Sequence, residues 1–243
     1  MNLVLLPGLM CDSAVWAPVL PWLGRTVRCR IPDYGSANSL AAMAERVLAD
    51  APPTFALAGH SMGGRVALEI ARRAADRVSR LALLDTGYKP RPAGLAGDDE
   101  KARRFELLAL AHSQGMRAMA AEWTPPMVHP ERRGDAALVG AILDMFERRT
   151  PAEFEAQIQA LLARPDATPV LHALTCPTLV LCGRDDGWSP PAQHEAMARL
   201  VESARLVVID RCGHMAPMER PREVGKALRD WLALPVLVGA LPS

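Results

Sequence analysis

Six short apolar runs recur along the chain, and most are separated by a stretch with helical periodicity. They are Leu3–Leu6, Thr26–Ile31, Phe55–Ala58, Leu81–Leu84, Thr178–Leu181 and Leu206–Ile209. Each halts at a turn-forming residue: Pro7-Gly8, Pro32-Asp33, Gly59, Asp85, Cys182-Gly183 and Asp210. A strand that is apolar along its whole length must be covered on both faces. Helices that cross from one parallel strand to the next provide that cover. The pattern predicts an α/β fold: a mostly parallel sheet of about six strands flanked by helices.

The alternation breaks once. Between Asp85 and Thr178 there is no strand pattern. Phe105, Leu108, His112, Met116 and Met119 fall at helical spacing, as do Leu138, Ile142, Met145 and Phe146, then Phe154, Ile158, Leu161 and Leu162. Pro125-Pro126 and Thr150-Pro151 punctuate these stripes. A connection of this length needs structure of its own. We therefore expect a core of residues 1–89 and 175–243, interrupted by a helical lid over 90–174. A length of 243 residues suits one core domain with such an insertion. The apolar tail after Trp231 is expected either to pack on the core or to meet another subunit. A monomer and a homodimer both stay open.

Charge and cysteine content narrow the partners. The formal net charge is +1, with no block of Lys and Arg that would neutralise phosphates, so nucleic acid is an unsuitable partner. The five cysteines, Cys11, Cys29, Cys176, Cys182 and Cys212, form no C-x-x-C pair. That argues against a disulfide framework or a zinc site and suggests the cytoplasm. The opening Met-Asn-Leu-Val-Leu-Leu-Pro is too short and uncharged for a secretory signal, and no stretch approaches a membrane span. A small uncharged molecule is the expected substrate, with no metal and no cofactor.

The chemistry is concentrated in three places. Gly59-His60-Ser61-Met62-Gly63 lies between an apolar run and a helical segment. Strand, sharp turn and helix are what an exposed nucleophilic serine needs, with small neighbours because strand and helix pass close by. Such a hydroxyl requires a base. Of six histidines, His214 follows the last strand in the turn Arg211-Cys212-Gly213-His214. The carboxyl ends of parallel strands are where an α/β site forms. The other five, His60, His112, His129, His172 and His194, read as structural or solvated. A carboxylate must hold the imidazole in one tautomer, and both Asp185 and Asp186 follow the fifth strand. Two backbone amides are expected to stabilise an oxyanion. One belongs to Met62; the other lies in Pro7-Gly8-Leu9-Met10, at Leu9 or, failing that, Met10. Cys11 is read as a bystander.

These segments resemble the α/β-hydrolase superfamily, and within it the small capped bacterial serine esterases. Gly59–Gly64 is similar to that family's nucleophile elbow, Gly183–Pro190 to its G-x-x-D-x-x-x-P acid loop, and Gly213–Pro221 to its G-H-x-x-x-x-E-x-P histidine segment. The fourth position of the acid loop is Asp186. The resemblance implies hydrolysis of small to medium carboxylic esters through an acyl-enzyme. Ser61 would be nucleophile, His214 base and Asp186 its partner, with Leu9 and Met62 as the oxyanion hole. The same triad serves lactone, thioester and C–C bond hydrolases and base-catalysed lyases. A ligand-binding or signalling protein with little turnover would also keep this framework. Trp16, Met116, Met119, Met145 and Trp188 are expected to line the substrate pocket.

Overall fold

The computed structural model describes residues 1–235. The end of the apolar tail, 236–243, lies outside the described residues. Six parallel strands form one sheet in the order β2-β1-β3-β4-β5-β6. They are β1 (Asn2–Leu6), β2 (Arg28–Arg30), β3 (Phe55–His60), β4 (Val78–Leu84), β5 (Thr178–Gly183) and β6 (Ala204–Ile209). The four inner strands are almost wholly buried, as continuous apolar runs require. The edge strands are less covered: β6 is mostly half-buried, and the Arg-Cys-Arg sequence of β2 is exposed, with only three of the expected residues paired.

Helices α1 (Leu40–Asp50) and α2 (Met62–Arg73) precede β3 and β4. Ser39 caps α1 by accepting from the Ala42 amide at 3.1 Å. The crossover from β4 to β5 contains α3 (Leu95–Gln114), α4 (Met116–Trp123), α5 (Ala136–Glu147), α6 (Pro151–Leu162) and α7 (Thr168–His172), and no strand. The stripe expected to run from Phe105 to Met119 is divided at Gly115, whose φ of +90° ends α3 and starts α4. Phe105 turns outward, while Leu108, Met116 and Met119 are buried. Helix α6 begins with a capping box between Thr150 and Glu153, and Pro151 occupies its first turn. Helices α8 (Pro191–Arg199), α9 (Ala216–Glu219) and α10 (Pro221–Leu232) complete the order. Trp231 at the end of α10 is fully buried and donates to the Pro177 carbonyl. No described helix is long and apolar enough to cross a membrane.

The register of the parallel strands brings their carboxyl ends to one edge. Leu6 lies opposite Gly59, His60 opposite Leu84, and Gly183 opposite Ile209. The loops leaving β1, β3, β5 and β6 therefore emerge together.

Candidate active site

Ser61 stands between β3 and α2 with φ of 54° and ψ of −119°, outside the regions a side-chain-bearing residue favours. The neighbouring glycines show why the sequence tolerates this. A Cβ on Gly59 would lie 2.2 Å from the Gly63 carbonyl oxygen, and one on Gly63 would lie 2.3 Å from that of Leu6. A side chain at Gly59 would force β3 and α2 apart, and one at Gly63 would push α2 away from the end of β1. The turn is braced from behind by Ser61 N–H donating to Leu84 O at 2.9 Å and by Thr86 Oγ1 donating to Ser61 O at 2.6 Å.

His214 and Asp186 arrive from the two loops after β6 and β5. His214 Nε2 is 2.8 Å from Ser61 Oγ, and His214 Nδ1 is 2.8 Å from Asp186 Oδ2. The other Asp186 oxygen accepts from the Trp188 and Ser189 amides at 2.9 Å each. Burial alone would raise the Asp186 pKa; His214 and these two amides outweigh it and hold the carboxyl down to about 2. Its neighbour Asp185 faces away and is 40% exposed, 3.5 Å from His129 Nε2. The adjacent acids, which the bare spacing leaves undivided, are thus separated by the turn.

The histidine loop is itself held by a buried carboxylate. Glu219 accepts from the amides of Gly213, Met215 and His129 at 3.0, 3.2 and 2.9 Å. The glutamate of the G-H-x-x-x-x-E-x-P segment therefore satisfies backbone donors that burial would otherwise orphan. His60 adds a second fastening: its Nε2 lies 2.8 Å from the His214 carbonyl oxygen. Burial, helped by the nearby His214, lowers the His60 pKa to about 3, so this ring is neutral at ordinary pH.

In the loop after β1, the Met10 amide donates to Gln157 Oε1 of α6 at 2.8 Å, and the Cys11 amide donates to Gly8 O. Among the described residues, the Leu9 amide has no such acceptor. Met62 is the first residue of α2, where a helix amide has no partner in its own helix. Leu9, Met62 and Ser61 face one cavity. The Cys11 thiol beside it is pushed up to about 12 by burial and by Asp12, so it stays protonated.

A match to the model of the alpha/beta hydrolase family runs over residues 3–227, nearly the whole chain. This chain belongs to the alpha/beta hydrolase family. The hydrolase is 28% identical to the pimeloyl-acyl-carrier-protein methyl ester esterase of Aromatoleum aromaticum, over 94% of this chain and 97% of that one. It is 27% identical to the enzyme of the same name from Nitrosomonas europaea, over 91% of this chain and 92% of that one. Among solved structures, a thermophilic esterase from Thermogutta terrifontis superposes with a TM-score of 0.86 at 31% identity, covering 96% of this chain and 89% of that one. An enol-lactonase from Burkholderia xenovorans shares the fold, with a TM-score of 0.83 at 24% identity over 96% of this chain and 90% of that one.

The hydrolase encloses a cavity of about 520 Å³ in front of Ser61. Trp188 lines it, with its ring centroid 4.9 Å from that of His214. Trp188 stacks on Trp123 at 5.5 Å, and Trp123 in turn meets Phe146 at 5.4 Å. Four other residues expected at the pocket do not line it. Met119 and Met145 are fully buried, and Met116 nearly so, inside the packed helices. Trp16 is fully buried behind the site, edge-on to His60 at 6.5 Å. Trp123, Met127, Phe146 and Leu161 take their places. The physical reason is that periodicity identifies the side of a helix that leaves water. It does not distinguish contact with another helix from contact with a cavity.

Proposed function

We propose that this chain is a carboxylic ester hydrolase that forms an acyl-enzyme at Ser61. The unbroken contact from Ser61 Oγ through the His214 ring to Asp186, 2.8 Å at each step, carries the reading. With its proton on Nδ1, held by Asp186, His214 presents a lone pair at Nε2 to the serine hydroxyl. Ser61 Oγ attacks the ester carbonyl carbon and its proton passes to Nε2. The carbonyl electrons move onto oxygen, facing the Leu9 and Met62 amides. The intermediate collapses, the C–O bond to the alcohol breaks, and Nε2 returns the proton to the leaving alcohol. Water repeats the sequence and releases the acid.

Helices α3–α7 act in this proposal as the lid, and Trp123, Phe146 and Trp188 hold the apolar part of a small to medium ester against Ser61. The relatives named for methyl ester hydrolysis, and the structural likeness to an esterase at 31% identity, support ester rather than peptide substrates. A fluorophosphonate probe should label wild-type protein at Ser61, as read by peptide mass, and aryl esters should be turned over. Ser61→Ala should lose labelling and at least about 10⁴-fold in kcat. Its Tm should stay within about 2 °C, because alanine fits the same turn. A native protein that neither labels nor turns over any ester would end this reading.

A further inference from the structure

The cavity in front of Ser61 has two unlike ends. One is the aromatic wall; the other gathers Arg65, Arg103, Arg104 and Arg164 around a single glutamate, Glu100. They come from different elements: Arg65 from α2, Arg103, Arg104 and Glu100 from α3, and Arg164 from the turn after α6. Glu100 is already engaged. Arg164 holds both its oxygens at 2.7 Å, and Arg104 reaches Oε1 at 2.9 and 3.1 Å. The remaining cavity acid, Asp85, is driven towards its neutral form by burial and by nearby Asp186.

Arg65 and Arg103 have no carboxylate within 4 Å among the described residues. Arg65 is half-buried, and its one recorded hydrogen bond runs from Nη1 to the Lys89 carbonyl at 2.9 Å. Its position is four residues after Ser61, just over one turn along α2, or about 6 Å up the helix axis. Burial and the neighbouring Arg164 push the Arg65 pKa down to about 9, against the opposing pull of Glu100, whose oxygens are already taken by Arg104 and Arg164. A guanidinium that lines a cavity beside a serine and has no carboxylate in direct contact is suited to an anion on the molecule that enters.

We propose that the arginine-lined end of this cavity is a subsite for a carboxylate on the part of the substrate that extends away from Ser61. The preferred substrates are then esters that carry a free carboxylate, with Arg65 as the principal contact and Arg103 as the outer one. This rests on the ester-hydrolase reading and narrows its substrate class. It also revises the expectation of an uncharged substrate, which came from a net charge that averages over the whole surface.

The test compares monomethyl glutarate with its neutral isostere, methyl 4-carbamoylbutanoate, followed by pH-stat titration. Wild-type kcat/KM should favour the anionic ester by about tenfold or more. Arg65→Met should lower that preference by roughly 10- to 100-fold, the range for a charge-assisted contact. Arg65→Lys should restore part of it, and the exposed Arg103→Met, whose folding is not at stake, should lower it several-fold. Equal wild-type rates on the two esters, or a preference unmoved in both Met variants, overturns the subsite and leaves the esterase standing. If neither ester is cleaved and Ser61 resists fluorophosphonate, the ester-hydrolase reading falls instead. The subsite is then decided by titrating glutarate against the fluorescence of Trp123 and Trp188. Binding weakened about tenfold in Arg65→Met supports it, and binding that is equal or absent in both proteins overturns it.

Discussion

The loops at the carboxyl edge of the sheet and the helices between Leu84 and Thr178 face the same cavity under different constraints. In the loops, backbone geometry leaves almost no choice of residue. A side chain at Gly59 or Gly63 would enter a neighbouring backbone, and the buried carboxylate of Glu219 must satisfy three amides. In the insertion, shape and hydrophobicity are enough. Met119 and Phe146 both lie on apolar stripes, yet one packs within the helices and the other borders the cavity. Chemistry is therefore held by positions with a unique solution, and the substrate-facing wall by positions with many.

The sharpest way to break this contrast lies in the acid loop. Asp186→Asn should lower kcat/KM by about 10³- to 10⁴-fold, because the amide favours the wrong His214 tautomer. Asp185→Asn should change it less than threefold, since Asp185 points to His129. Steady-state kinetics on one aryl ester checks both, and a reversed order would place the acid on the wrong residue.

Gln157 tests whether the two regions are as separate as they look. It is a buried polar side chain on α6 that accepts from the Met10 amide in the β1 loop. Gln157→Leu should free that amide, let the Leu9 donor drift, and cost about 10- to 100-fold in kcat while KM moves less than threefold. A KM effect with kcat intact would mean that Gln157 serves substrate binding instead.

The response to pH should also divide along these lines. Unfolded His60 takes up a proton below about pH 6.5, whereas in the folded protein burial delays this to about 3. At this group the unfolded state thus binds more protons, so the His60 contribution to stability falls as pH drops from 7 to 5, while the buried carboxyls Asp85 and Glu219, whose pKa values are raised, contribute in the opposite sense. The slope contributed by one such group is at most about 1.4 kcal/mol per pH unit. Urea midpoints at several pH values, compared between wild type and His60→Gln, should show the variant losing this downward contribution. His194, whose pKa burial also lowers, keeps part of the slope in the variant. A stability difference between wild type and His60→Gln that stays constant from pH 7 to 5 would contradict the buried neutral ring.

The smallest effect separates wall from packing. Phe146→Leu should raise KM for an aryl ester by a few-fold, while the volume-conserving Met145→Leu should leave KM within twofold. Equal shifts in both would return Met145 to the cavity.

The sheet, the strand-free helical stretch between Leu84 and Thr178 and the three loops were legible because each leaves a local mark. Runs that are apolar throughout require a doubly covered sheet. Glycines flanking a serine mark a turn too tight for side chains. His214 stands where the last strand must end. The cavity wall was not legible in this way. Met116, Met119 and Met145 share their periodicity with Phe146 and Leu161, and only the packing of α3 to α6 against the core decides which of them meets open space. Gln157 carries a faint mark, a polar residue next to Ile158 on an apolar stripe, but its partner is 147 residues away.

By itself, then, the amino-acid order determined the scaffold and marked the turns that carry Ser61, Asp186 and His214, because those choices are enforced by backbone sterics within a few residues. Tertiary structure alone decided which side chains bound the cavity, and that Arg65, Arg103, Arg104 and Arg164 from separate segments share it. Those outcomes depend on distances between segments far apart in the chain, and no local pattern records them.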